Sequence, residues 1–308
     1  MRRILAAMLA LIPVLTAAQG SRENYIKRYN QLASRLGPSG MGIETLLDDW
    51  GRDFPDDTLM LGARFNYYFN KSSRDTVIVS AEKRHLGNAP IITLKDSLGR
   101  DVSYFEEKNY DDSLFALALN SIDRLIAMDP QALDWRLSRT AALTAYEKGS
   151  PDMALSSLRA LVDYNYKESP SWKYPGLGKV DNEVFKAFMQ DYCAAFWKLG
   201  TPSSQEAFKS LSDLMLSYNP SDAVFMDNLG SWYLVCAKNH KKALKIYGKV
   251  LKAHPDDLTA IRNCILISRR ERNTKMEMKY LPMLEKYTQD ENEKAQARMR
   301  LTALAGGA

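Results

Sequence analysis

The strongest constraint on this chain is a spacing that is clearest between Asn219 and Pro255 and recurs along much of its length. Met226, Leu229, Gly230 and Tyr233 fall on one helix-length stretch, and Ala243, Tyr247 and Val250 on the next, before His254-Pro255-Asp256-Asp257. Apolar residues three and four apart share one face of an α-helix, so each stretch reads as an amphipathic helix. Close antiparallel packing explains the residue types. Gly230 offers no side chain where the partner helix crosses, Ala243 does the same from the other side, and large residues fill the holes beside them. Pro255 ends the second helix because it cannot donate the next backbone hydrogen bond, and Asp256 or Asp257 can cap the helix that follows.

The second-helix signature is a small or apolar residue followed by bulky ones at +4 and +7 and by Pro at +12. Ile43, Leu47, Trp50 and Pro55 fit it, as do Ala118, Ile122, Leu125 and Pro130. Ala154, Leu158 and Leu161 fit without the Pro, and Ala207, Leu211 and Leu214 fit with Pro220 one place late. Past Pro255 the pattern decays, with Leu281 and Leu284 in register but Glu277 in the small-residue place. The expected architecture is mainly α: an α-solenoid of about six helical pairs over residues 22–304, closed by a polar capping helix from Glu291 to Leu304.

This pattern resembles the tetratricopeptide repeat, a helix-turn-helix unit of about 34 residues with W-x2-L-G-x2-Y, A-x3-F and a closing Pro. Met226 stands in place of the Trp, and one extra residue separates the two helices. The organisation is similar to small exported tetratricopeptide proteins of bacteria. The resemblance implies a binding role, with the first helix of each pair lining a concave groove. Its groove-facing candidates are Asp227, Asn228 and Ser231 on one repeat and Arg262, Asn263 and Arg269 on the next. Some relatives grip a carboxyl terminus with Lys, Arg and Asn; Asn228 and Asn263 suit that role, whereas Asp227 stands where a base would help.

Two insertions separate the copies. Residues 71–108 change period: Thr76-Val77-Ile78-Val79, Ile91-Ile92-Thr93-Leu94 and Val102-Ser103-Tyr104-Phe105 are β-branched and aromatic runs, with Asp96-Ser97-Leu98-Gly99-Arg100 as a hairpin turn. They predict a small β-hairpin insertion of two or three strands, either a brace on the helices or an exposed edge for a partner strand. A long loop is expected over about 165–181. There Trp172 and Tyr174 either pin the loop or form a platform for a sugar ring or a peptide.

At the start of the chain, Arg2 and Arg3 precede an apolar run from Ile4 to Leu15 and then Thr16-Ala17-Ala18, the order of a secretory signal peptide over residues 1–18. The run is too short to span a bilayer as a helix, which takes about 20 residues. The expected product is exported, periplasmic or secreted, and not an integral membrane protein. The remaining single domain, residues 19–308, is electrically uneven: residues 238–300 hold sixteen Lys and Arg against eight Asp and Glu, while 19–237 hold twenty-four against twenty-nine. The basic residues fall on helix faces among glutamates, which reads as solvated surface and not as a nucleic-acid site.

Three His and three Cys in 308 residues leave little material for metal or nucleophile chemistry. H-E-x-x-H, C-x-x-C, G-x-S-x-G and the phosphate-binding G-x-x-x-x-G-K-S/T are absent. His85, His240 and His254 are far apart, and Gly176-Leu177-Gly178-Lys179 lacks the Ser or Thr a phosphate loop needs. Cys193, Cys236 and Cys264 lie in apolar helical stretches, either as free thiols or with Cys236 and Cys264 bridged. The chain therefore reads as a non-enzymatic scaffold with no cofactor and no metal, binding a protein or peptide. The alternative is a cell-envelope glycan-binding protein that uses Trp172 and Tyr174.

Overall fold

A computed structural model describes residues 22–306; the expected signal peptide lies outside the described residues. The fold is mainly α, with thirteen helices and one three-stranded antiparallel sheet among the described residues, of the helical-repeat solenoid class. Two compact units are present. One comprises the described residues up to Tyr146 plus Ser171–Lys179, and the other Glu147–Pro170 plus the chain from Val180 onward.

The first unit contains α1 (residues 22–36), α2 (Ile43–Asp53), α3 (Thr58–Ser72), β1 (Ser73–Ser80), β2 (Ile92–Lys95), β3 (Asp101–Tyr110), α4 (Asp112–Met128) and nearly all of α5 (Leu133–Glu147). The second contains α6 (Asp152–Glu168), α7 (Asn182–Leu199), α8 (Pro202–Tyr218), α9 (Ala223–Val235), α10 (His240–Ala253), α11 (Leu258–Arg270), α12 (Thr274–Tyr287) and α13 (Glu291–Gly306).

The repeating signature is a burial pattern. Ile43, Ala118, Ala154, Ala207 and Ala243, which open the five copies, are all at most 3 % exposed. So are Leu47, Ile122, Leu158, Leu211 and Tyr247 four places on. Next come buried Trp50, Leu125, Leu161 and Val250. In α8 the expected Leu214 is only half-buried and Met215 takes its place. The buried stripe there advances by two steps of four, and the closing Pro220 is late by the same single residue.

Gly230 works as the spacing requires: a Cβ built on it would stand 2.5 Å from Cε1 of Tyr247 on α10. Gly62 of α3 receives Trp135 of α5 in the same way, with the indole 2.9 Å from the position of a Cβ. Glu277, the polar residue in a small-residue place, is 2 % exposed because Arg300 and Arg269 meet its carboxylate at 2.7–3.0 Å. Those guanidinium hydrogen bonds hold the Glu277 carboxyl below the usual carboxylate range against the opposing effect of burial.

Each Pro-bearing joint closes the same way. The residue before Pro55, Pro130, Pro220 and Pro255 donates its N–H back into the preceding helix, to Trp50, Leu125, Met215 and Val250 respectively. Its carbonyl then accepts the N–H of the residue three places on: Asp57, Ala132, Asp222 and Asp257. At three of the four joints that residue is an Asp capping the next helix, with Asp257 rather than Asp256 doing so for α11. A short polar side chain there accepts N–H groups that the first helical turn leaves unpaired.

The β insertion has strand order β1-β3-β2. Helix α3 continues through Ser72 and β3 through Tyr110, so the expected span 71–108 becomes 73–110. Asp96 makes the expected turn by accepting the N–H groups of Leu98 and Arg100, with Gly99 at φ 75°. Phe105 and Ser103 are buried, whereas Val77, Val79, Ile92 and Leu94 are about half exposed or more. The expected loop over 165–181 is also shorter, because α6 runs to Glu168 and carries Tyr164-Asn165-Tyr166 within it. Tyr166 stacks on Tyr218 at 4.5 Å.

Candidate functional site

In the second unit α9 and α11 place the expected groove residues at different depths. Asp227 and Asn228 are 6 % and 8 % exposed. Asn228 donates to Oε1 of Gln190 on α7 at 2.7 Å and to Oγ of Ser212 on α8 at 3.3 Å. Ser231 shares a 3.2 Å hydrogen bond with the Tyr247 hydroxyl, which Asn263 also approaches. Asn228 and Ser231 thus join α9 to its neighbouring helices. Asp227 and Asn228 are therefore enclosed and do not face outward as expected: α7 and α8 cover Asn228, and Asp227 lies beside Asp257 at the start of α11, while Ser231 is half-buried.

Asp227 has no compensating base. Its Oδ1 is buried without a hydrogen-bond partner. Burial, with the Asp257 carboxylate nearby, pushes its carboxyl up to about 8. Asp227 is therefore enclosed and keeps its proton near neutral pH, with no base beside it to act as a cationic centre.

Arg262 and Arg269 are exposed. Arg262 meets Glu293 of α13 through Nε at 2.8 Å and Nη2 at 2.7 Å, and Arg269 meets Glu277 through Nε at 2.7 Å. Between α11, α12 and α13 lies a cleft of about 180 Å³ whose lining includes Ile265, Leu266, Leu281 and Gln296 together with both arginines. Arginine fixed on one carboxylate keeps further N–H donors for another acceptor. Sequence reasoning found the two arginines but not their cleft, because much of its floor comes from α12 and α13, where the repeat pattern fades.

A second cleft, of about 260 Å³ in the first unit, went unsuspected. Leu61, Arg64 and Tyr68 of α3 face Leu117, Asn120, Ser121 and Arg124 of α4, with Asp48 at the side. Arg64 donates through Nη2 to Asp48 at 2.6 Å and to the Leu47 carbonyl at 3.3 Å, while its Nε is buried without a partner. Only the i, i+3 and i+4 spacing of those residues on the two helices could have signalled it.

Trp172 is 8 % exposed. The Arg136 guanidinium lies 5.8 Å from its ring, and the backbone beside it is tied down by Lys173 N–H to the Gln131 carbonyl and Leu133 N–H to the Lys173 carbonyl. Of the two alternatives for Trp172, its burial fits the indole that pins the loop and not an exposed sugar platform, because a loop this long holds its place by burying apolar surface. Tyr174 beside it is half-buried.

His85 contacts Glu107 at 2.7 Å and His240 contacts Glu271 at 3.0 Å. Among the described residues no three His, Cys, Asp or Glu groups come together as a metal site. The cysteines are free thiols, with Cys193 and Cys264 buried. Burial pushes the Cys193 thiol up to about 12 and that of Cys264 up to about 11, far from the thiolate a nucleophile needs. Among the described residues no helix is long and apolar enough to cross a membrane.

No protein-family model matches the chain, and no curated protein matches it. Among solved structures it is similar to the flexible tandem repeat domain found in one of the proteins of bacterial cellulose synthase. The identity is 14 %, covering 86 % of this chain and 89 % of that one, at a TM-score of 0.29.

Proposed function

We propose that this chain is an exported scaffold, periplasmic or secreted, that performs no chemistry and binds a protein or peptide along the face formed by the first helices of consecutive pairs. The supporting observation is the α11–α13 cleft. Its floor is apolar, with Ile265, Leu281, Leu284 and Ala297, and Arg262 and Arg269 stand over it. An extended peptide would place one apolar side chain on that floor and offer its carbonyls or a carboxylate to the arginines. Guanidinium groups already held by Glu293 and Glu277 lose little freedom on binding, which favours affinity without new ordering.

The test is co-purification from native extract with mass spectrometry, comparing the wild-type chain with Leu266→Glu. Leu266 is 38 % exposed at the cleft, so the substitution leaves the core intact while placing a carboxylate against an incoming acceptor. A reproducible protein partner recovered by the wild type and lost by the variant is the expected result. No reproducible partner, or one retained equally by Leu266→Glu, would overturn the reading.

A further inference from the structure

Among the described helices α10 carries the most lysines. Its fourteen residues, HKKALKIYGKVLKA, include five lysines and no acid. At 100° per residue, Lys241, Lys242, Lys245, Lys249 and Lys252 fall within an arc of about 100°. The buried residues Ala243, Tyr247, Val250 and Leu251 occupy the opposite side. All five lysines are exposed. None forms an ion pair among the described residues; the neighbouring His240, at the start of the same helix, meets Glu271. Lys242 alone has a local partner, donating to the Tyr233 hydroxyl at 3.2 Å. The contrast with α13 is direct: there Lys294, Arg298 and Arg300 are each matched to a glutamate.

Like charges at i, i+4 and i, i+3 repel along a helix, so the stripe 241, 245, 249, 252 carries a penalty that an anionic counter-surface would remove. The kind of surface follows from what accompanies the charges. The residues are lysines, mobile point charges, with no arginine fork to define a phosphate or carboxylate pocket. Neither of the two clefts described above includes a residue of α10. Within the stripe, Gly248 opens directly to solvent, with nothing within 4 Å of its Cβ position. A straight row of unpinned positive charges about 16 Å long, with no groove for a chain to lie in, suits a flat and laterally mobile layer of negative charge.

We propose that the outer face of α10 is a peripheral docking surface for the anionic headgroups of a lipid bilayer. The contact is electrostatic and superficial, and it leaves the α11–α13 cleft on another face free for its own ligand, so the two readings stand or fall separately.

The test is flotation of the full chain with vesicles of phosphatidylcholine alone and of phosphatidylcholine with about one-third phosphatidylglycerol, at low and at about 0.5 M salt. The wild type should float with the anionic vesicles at low salt only. The triple variant Lys241→Gln, Lys245→Gln, Lys249→Gln should lose about a hundredfold in partitioning, given the typical worth of each lysine near an anionic surface. Lys275→Gln with Lys286→Gln on α12, which alter net charge but not the stripe, should cost much less. Circular dichroism checks that each variant is folded, and the salt dependence of the wild type gives a readout independent of any substitution. Absence of flotation, equal binding to neutral vesicles, salt-insensitive binding, or equal losses in the α10 and α12 variants would overturn the proposal. Soluble polyglutamate bound by the wild type when anionic vesicles are not would do the same and point to an acidic protein.

Discussion

Replacing Asp227 with Asn removes one ionisable proton from a carboxyl that is 6 % exposed and has one oxygen without a partner. In the folded chain this acid titrates near 8, whereas the ordinary value is 3.8. Below pH 3.8 the group is protonated whether the chain is folded or not, and it costs nothing. Between 3.8 and 8 the unfolded chain releases the proton while the folded one must keep it, so stability falls as pH rises, and above 8 the loss levels off. At about 1.36 kcal/mol per pH unit, the penalty is about 2 kcal/mol at pH 5 and about 4 kcal/mol at pH 7. Asparagine keeps an N–H where the acid carries its proton and leaves the same oxygen unpartnered, so most of that penalty should disappear in the variant. Urea unfolding followed by tryptophan fluorescence at pH 5, 7 and 8 gives the comparison, with Trp197 and Trp232 reporting on the second unit. The expected result is a variant more stable than wild type by an amount that grows with pH. A constant difference across that range, or a less stable variant at pH 8, would refute the buried-acid account.

Other consequences can be checked alongside. Gly230→Ala should destabilise the second unit by about 1–3 kcal/mol through its clash with Tyr247, and Tyr247→Leu should relieve part of that cost in a double-mutant cycle. Glu277→Gln should cost about 2–3 kcal/mol at pH 7 by weakening its pairing with Arg269 and Arg300. Because the folded carboxyl titrates below its ordinary value, that difference should be full above pH 4.5 and vanish as pH falls through the lowered value, which acid titration of the melting temperature would reveal. Trp172→Ala should lower the stability of the first unit by about 3–5 kcal/mol in chemical unfolding, as the loss of a buried anchor and not of a binding platform. A variant as stable as wild type would return that indole to the surface.

The helical pairs were legible because their cause is local and repeats: Ala at the crossing, bulky residues one and two turns on, Pro to stop, Asp to begin again. Even the late Pro220 carried information, since it matches the shift of burial from Leu214 to Met215. The groove was less legible. Helical spacing places Asp227 and Asn228 on α9, but their depth depends on neighbours far along the chain, Gln190 and Ser212 beside Asn228 and Asp257 beside Asp227. Trp172 posed the same difficulty, because an aromatic residue in a loop has one sequence whether it faces water or Arg136. The α11–α13 cleft draws residues from three helices, one of them in the polar terminal stretch where repeat spacing no longer guides. Glu277 looked like decay of the pattern; the two arginines that rescue it lie 8 residues before and 23 after.

One detail of the β insertion bears on how such a chain can change. The N–H of Asp111 donates to the Ser72 carbonyl at 2.9 Å, so the last residue of α3 and the cap of α4 already touch. Everything from 73 to 110 leaves and returns through a single doorway, while α3 and α4 meet through their own side chains. A short linker spliced across that doorway should spare the helices, and an unrelated module fitted there should be carried as cargo. In that sense the site is a natural port for domain grafting, open to replacement without rewriting the repeats on either side.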